Sequence, residues 1–185
     1  CTKFFQTMAK AQANYTVSEI GVVTNTALKA KFDAQKLALK AKGFEQLEWG
    51  FHGTGEDAIT AICKTGFLHP DDIAKMNKGK AKKKKKIEVL DDGYFGSGIY
   101  FSFYSDYAMW YSEERDSSQI LLCKLLTGKS FKCVGRMDGK PCLDGYDSHF
   151  SPKGNEIVMF SPAGCLPRYI IKFDKQDEQE REQED

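Results

Sequence analysis

Apolar positions change period repeatedly along the chain, and each change marks an element. From Tyr15 to Val23 they alternate, with Val17, Ile20, Val22 and Val23 apolar, which predicts a strand. Asn25 stands where a helix N-cap would. Leu28, Phe32, Leu37 and Leu39 fall roughly on one face of a helix running to about Lys42, and Gly43 ends it. Leu47 to His52 is a short apolar strand closed by the turn residues Gly53 and Gly55. Glu56 to Thr65 is helical, with Ala58, Ile59, Ile62 and Cys63 on one stripe and Gly66 as C-cap.

Pro70 to Asp92 has few apolar residues and is expected to be a long loop, of the kind that is often functional or mobile. Gly93 and Gly96-Ser97-Gly98 bracket Tyr94 and Phe95 in a tight turn leading into the strand Ile99 to Ser102. Tyr104 to Ser112 reads as a helix, and Ile120 to Leu126 as a strong strand with a Thr127-Gly128 turn. Phe131 to Val134 continues the sheet, and 135–154 is a loop rich in glycine and proline. Glu156 to Phe160 is a strand, Ser161 to Gly164 a turn, and Tyr169 to Phe173 the last strand. The hairpin-like spacing of the late strands predicts an α+β fold with a mainly antiparallel sheet. The expected organisation is a lead-in over 1–14, one domain over 15–173 and a disordered acidic tail over 174–185.

Composition supports one domain with a sizeable core, since 41% of 185 residues are hydrophobic. No run of about 18 apolar residues suggests a membrane span, and no secretory signal is visible at the start. Cys1 in place of Met suggests a piece of a larger protein, the domain itself is expected to be monomeric, and reduced thiols suggest an intracellular setting, nucleus or cytoplasm. A net charge of +1 says little about partners. Its distribution says more: Lys82 to Lys86 extend a basic run that either contacts nucleic acid or polymer, or is a solvated loop. None of the six cysteines is in a C-x-x-C pair. Cys63, Cys123 and Cys165 sit among apolar residues, where cysteine behaves as a small hydrophobe. Cys133, Cys142 and His149 have the chemistry for zinc, but their spacing matches no usual pattern, so no metal is expected.

Three pieces carry candidate chemistry. His52-Gly53-Thr54-Gly55 places an imidazole at a strand end beside backbone that a ligand can approach closely; the alternative is a buried histidine capping a turn. Gly96-Ser97-Gly98 precedes a strand and lacks the Lys-Ser/Thr of a phosphate loop, so it marks either backbone approach or a bend. Tyr104, Tyr107 and Tyr111 share one helix face, as core or as a stacking site with a polar edge. Asn155-Glu156 opens an apolar strand with a carboxylate that is either solvent-exposed or aimed into a cleft.

Together these pieces resemble the catalytic domain of the poly(ADP-ribose) polymerase family, the diphtheria-toxin-like ADP-ribosyltransferases. His52-Gly53-Thr54, Gly98-Ile99-Tyr100-Phe101 and Asn155-Glu156-Ile157-Val158-Met159-Phe160 occur in the family's order. Val17 to Lys40, Asp91 to Gly96 and Leu166 to Ile171 resemble its opening strand and helix, its approach to the central tyrosine and its closing strand. The resemblance implies a split, mainly antiparallel sheet flanked by helices. It implies NAD as ADP-ribose donor, with His52, Tyr100 and Glu156 as the catalytic triad. His52 would bond the adenosine ribose, Gly53 the nicotinamide carboxamide, and Tyr100 and Tyr111 would sandwich the nicotinamide ring. Glu156 would bond the nicotinamide-ribose 2′-hydroxyl. Thr54, Phe101 and Ala108 complete the expected NAD-binding set. Ala108 departs from the family, which often has a serine there bonding the carboxamide; Ser105, one turn away, is a candidate substitute.

The expected function is therefore transfer of ADP-ribose from NAD to a protein or nucleic-acid acceptor, with no metal. Elongation to poly(ADP-ribose) is favoured over single-unit transfer by Glu156, which members that add single units usually lack. The rival readings are an interaction module that binds ADP-ribose or NAD without catalysis, and an NAD glycohydrolase that spends NAD on water.

Overall fold

The computed structural model describes residues 15–78 and 93–175. The lead-in over 1–14, the lysine run Lys82 to Lys86, Asp91-Asp92 and residues 176–185 of the acidic tail lie outside the described residues. Among the described residues, eight strands form one sheet in the order β1-β8-β4-β2-β3-β7-β6-β5. They are β1 (Tyr15–Val22), β2 (Leu47–Gly53), β3 (Ile99–Ser102), β4 (Gln119–Leu126), β5 (Ser130–Lys132), β6 (Ser148–Phe150), β7 (Glu156–Met159) and β8 (Cys165–Lys175). Every pairing is antiparallel except β5 with β6. Among the described residues the four α-helices are α1 (Thr26–Ala41), α2 (Glu56–Thr65), α3 (Pro70–Lys78) and α4 (Ser105–Glu113). The α+β, mainly antiparallel expectation is met.

β4 is apolar along nearly its whole length because both its faces are covered. Leu121, Cys123 and Leu125 pack with Ile59 of α2 and with Phe67, Ile99, Phe101, Ile157 and Met159. Ile120 and Leu122 point the other way, into a cluster with Phe51 and with Ala108 and Met109 of α4. Full burial of each such side chain is worth about 1.5–3 kcal/mol. The two-residue period of a strand then decides the site. Ile99 and Phe101 face α2, so Tyr100 and Ser102 face α4; Ile157 and Met159 face α2, so Glu156 and Val158 face α4.

The expected split in the sheet falls between β2 and β3, where a single pair, Phe51 opposite Ser102, is in register. On one side β2 runs beside β4 for seven pairs, from Leu47–Leu126 to Gly53–Ile120. On the other, β3 runs beside β7.

α1 begins as expected: Asn25 Oδ1 accepts from Leu28 N at 3.1 Å. The Asn25 amide also donates to the carbonyls of Cys63 and Lys64, each at 3.0 Å, and so joins the start of α1 to the end of α2.

Several expectations are corrected. Leu37 is 69% exposed, while Leu28, Phe32 and Leu39 are buried. Nine positions at 100° each put Leu37 opposite Leu28. Pro70–Lys78 is a helix rather than loop; no residue in it is buried, so no apolar stripe announced it. Its polar signals were nevertheless present: Pro70 at the start, Asp71 and Asp72 in the first turn, and Lys75 and Lys78 in the last. β6 lies inside the stretch expected to be loop. Val134, expected in β5, is 97% exposed beyond its end. β8 continues to Lys175, because Asp174 and Lys175 pair with Thr16 and Tyr15 at the start of β1.

Candidate functional site

A cleft of about 1120 Å³ opens beside the split. His52, Gly53, Tyr100, Tyr111 and Glu156 all line it, so the structure brings the three sequence pieces together. Thr54, Phe101 and Ala108 also border it. Ser105 does not. It lies buried at the start of α4, its hydroxyl unpartnered among the described residues, and so replaces no hydroxyl at Ala108.

His52 bridges the break in the sheet. Its Nδ1 lies 2.9 Å from the carbonyl oxygen of Tyr100, across from β2 to β3. A carbonyl only accepts, so Nδ1 carries the proton and donates; on the neutral ring Nε2 is left as an acceptor, suited to a hydroxyl. Phe67 meets the ring edge-on at 5.1 Å and Phe101 lies at 5.5 Å. Phe101 thus acts as a prop for the imidazole.

Burial lowers the His52 pKa from 6.5 to about 4; the Tyr100 carbonyl opposes the shift, and the positive charge of Arg115 adds to it. The imidazole is therefore expected to stay neutral from pH 8 to about pH 5. The sign for stability follows. The unfolded chain takes up this proton near pH 6.5, so folding loses stability as pH falls from there toward 4. Histidine ring NMR checks this, and a His52 titration midpoint near 6.5 would contradict it.

Gly53 is where β2 meets α4. A Cβ there would stand 1.8 Å from the carbonyl oxygen of Ala108 and 2.9 Å from Cβ of Tyr111. Glycine is required by this approach of helix backbone to strand backbone. The next residue is held to the same helix: Thr54 N donates to Ser112 Oγ at 3.1 Å, and Ser112 Oγ donates to the Gln119 carbonyl at 2.7 Å. The Thr54 N–H is thereby committed within the protein.

Tyr100 ties down its own approach. Its hydroxyl donates to the Gly96 carbonyl at 2.9 Å and accepts from Phe95 N at 2.8 Å. Gly96 takes φ +122°, which side chains rarely adopt. His149 secures the same turn: Nδ1 donates to the Phe95 carbonyl at 2.8 Å and Nε2 accepts from Leu143 N at 3.1 Å. Cys133 donates to Met137 Sδ at 3.4 Å, and Cys142 to the Tyr146 carbonyl at 3.2 Å.

Glu156 starts β7 opposite Ser102. Ser151 fixes its backbone twice, accepting from Glu156 N at 3.1 Å and donating its own N–H to the Glu156 carbonyl at 3.0 Å. Arg115 is the one cation among the described residues of the wall, against the carboxylates of Glu56, Asp57, Glu114, Asp116 and Glu156. Sequence reasoning missed Ser112, Ser151, Phe67 and Arg115, which carry no periodic signal. It placed Tyr107 on the face of Tyr111 without assigning it a role.

Comparison with known proteins comes to one finding. A family model described as "Poly(ADP-ribose) polymerase catalytic domain" matches residues 2–141, a stretch that contains His52, Tyr100 and Tyr111. No curated protein matches.

Proposed function

Because this chain belongs to the poly(ADP-ribose) polymerase catalytic-domain family, whose domains use NAD as substrate, we propose that it cleaves the nicotinamide–ribose bond of NAD and transfers ADP-ribose to a protein or nucleic-acid acceptor. The observation that carries this reading is the convergence of His52, Gly53, Tyr100, Tyr111 and Glu156 on one cleft from β2, β3, α4 and β7.

Each role follows from the chemistry at its position. The acceptor nitrogen of His52 takes an adenosine-ribose hydroxyl. The main chain of Gly53, at the cleft wall, would hold the nicotinamide carboxamide, and the rings of Tyr100 and Tyr111 flank the nicotinamide. Arg115 offers positive charge to the diphosphate. In the reaction the C1′–N bond breaks and its electron pair leaves with nicotinamide. Positive charge grows on the ribose ring, and Glu156 stabilises it more in the transition state than in the ground state. An acceptor oxygen then bonds C1′ and gives up its proton, with Glu156 placed to orient or receive it. Ala108 presents a methyl where a serine would donate to the carboxamide, which weakens nicotinamide-site binding by about 1 kcal/mol. Glu156 supports elongation of the first unit into chains.

The test is incubation with labelled NAD, separating macromolecule-bound from free label and single units from chains. Bound label in chains is expected. Label left intact would overturn the enzyme reading in favour of a binding module, and label released only as free ADP-ribose would make the protein a glycohydrolase.

A further inference from the structure

The outward face of α4 is aromatic. Its buried side is Ser105, Ala108, Met109 and Ser112, which recur three or four residues apart as the inner stripe of a helix. The opposite stripe is Asp106, Tyr107, Trp110, Tyr111 and, just past the helix end, Glu114. Trp110 is 51% exposed and Tyr107 37%. Large rings gathered in water forgo the burial that normally stabilises them, and such a patch marks a contact surface. The rings also brace one another. Tyr111 meets Tyr107 at 5.3 Å and 71°, and Trp110 at 5.1 Å and 85°. Tyr107 and Tyr111 line the cleft, so the patch runs outward from its wall to Trp110.

Charge decides what fits this face. Helical spacing puts Asp106 and Glu114 each one turn from Trp110, and α4 itself contains no lysine or arginine. Beside it the cleft wall carries Glu56, Asp57 and Asp116 around Arg115. A surface of this sign repels phosphate and attracts cations, and the electron-rich faces of the rings act in the same sense. The protein makes that pairing elsewhere: Arg136 lies over Tyr94 at 4.1 Å, Lys129 over Tyr146 at 4.8 Å and Lys124 over Trp49 at 5.3 Å. Among the described residues no cation lies over Trp110.

We propose that this face of α4 docks the acceptor, and that the acceptor is a peptide segment bearing lysine or arginine. A cationic side chain stacks on Trp110 between Asp106 and Glu114, and the residue to be modified reaches past Tyr107 and Tyr111 toward Glu156 in the cleft. The inference rests on the transferase reading and names the acceptor class of that reaction.

The experiment measures binding of a dye-labelled peptide of lysine, serine, glutamate and glycine by fluorescence anisotropy, and transfer to it from labelled NAD. Its counterpart carries norleucine at each lysine, and a single-stranded oligonucleotide is the third probe. The proteins are wild type, Trp110→Ala and Trp110→Lys. Wild type is expected to bind the lysine peptide in preference to the other two probes. Trp110→Ala should weaken that binding about five-fold, the scale of one cation stacked on a ring, and Trp110→Lys by about ten-fold or more through added repulsion. The KM for NAD and the melting temperature should stay close to wild type in both. Equal affinity for the norleucine peptide, unchanged affinity in Trp110→Ala, or oligonucleotide binding that Trp110→Lys tightens would each overturn the proposal and leave the transferase reading intact. Lysine-peptide binding through Trp110 with no transfer of label to any acceptor would instead remove that reading, and with it the peptide's place as acceptor.

Discussion

Glu156→Gln is expected to cut ADP-ribose transfer by about 100- to 1000-fold while leaving NAD affinity within a few-fold of wild type. The amide has the size and shape of the carboxylate, so the cleft keeps its form. The backbone around it is held independently of the side chain: Ser151 grips the N–H and carbonyl of Glu156, and Phe103 N donates to the Asn155 carbonyl at 3.0 Å. What disappears is negative charge facing a ribose ring that becomes positive as nicotinamide leaves. That charge matters little to the neutral ribose of the bound donor and greatly to the transition state, so the loss belongs in kcat. Elongation should suffer most, because the amide is also a poor recipient for the proton of an incoming hydroxyl. Single-turnover assays with labelled NAD, paired with calorimetric binding, measure both quantities. Wild-type chain yield from the variant would refute the role assigned to Glu156; a collapse of NAD affinity at unchanged kcat would make it a binding residue only.

The parts of this site that could be read from the sequence are those tied to a change of period. His52 stands near a strand's end, Tyr100 lies within a strand entered through glycines, and Glu156 opens a strand. Each is visible because apolar alternation begins or ends beside it. The helix of Tyr107 and Tyr111 was legible for the same reason, although its first residue is Ser105 rather than Tyr104. The missed features lack such a signal. α3 buries no side chain, so its only marks were its terminal charges and Pro70. β6 has three residues, too few to show a period. Ser112 and Ser151 act through single hydroxyls, and nothing in the chain distinguishes them from serines exposed to water. The imidazole bridge from His52 to the Tyr100 carbonyl was equally unreadable, because it depends on where two distant strands stop pairing.

The split in the sheet therefore explains why residues on opposite faces share a cleft. Tyr100 and Glu156 face α4, whereas His52 packs with Phe67 and Phe101 on the α2 side. In a continuous sheet these would be separated by the strands themselves. The break after the Phe51–Ser102 pair lets one cavity reach residues of both faces.

Gly53→Ala is expected to damage the fold and the site together, although it adds one methyl group. The new Cβ would lie 1.8 Å from the Ala108 carbonyl oxygen and 2.8 Å from its carbon, and both are helix backbone, with no rotamer to change. Relief requires α4 to move away from β2, against the packing of Ala108 and Met109 on Phe51, Ile120 and Leu122. Overpacking of this kind costs about 1–3 kcal/mol, and a clash with main chain belongs at the upper end. The same movement displaces Tyr107, Ala108 and Tyr111, so nicotinamide-site binding should fall by more than ten-fold even in molecules that remain folded. Gly21→Ala is the matched control. Its Cβ would meet nothing nearer than Ile170 at 3.9 Å, so stability and binding should stay near wild type. Denaturant midpoints for the two variants, together with benzamide affinity by calorimetry, separate the outcomes. Gly53→Ala with a wild-type midpoint and wild-type affinity would show that α4 is not held against β2 as closely as this geometry requires.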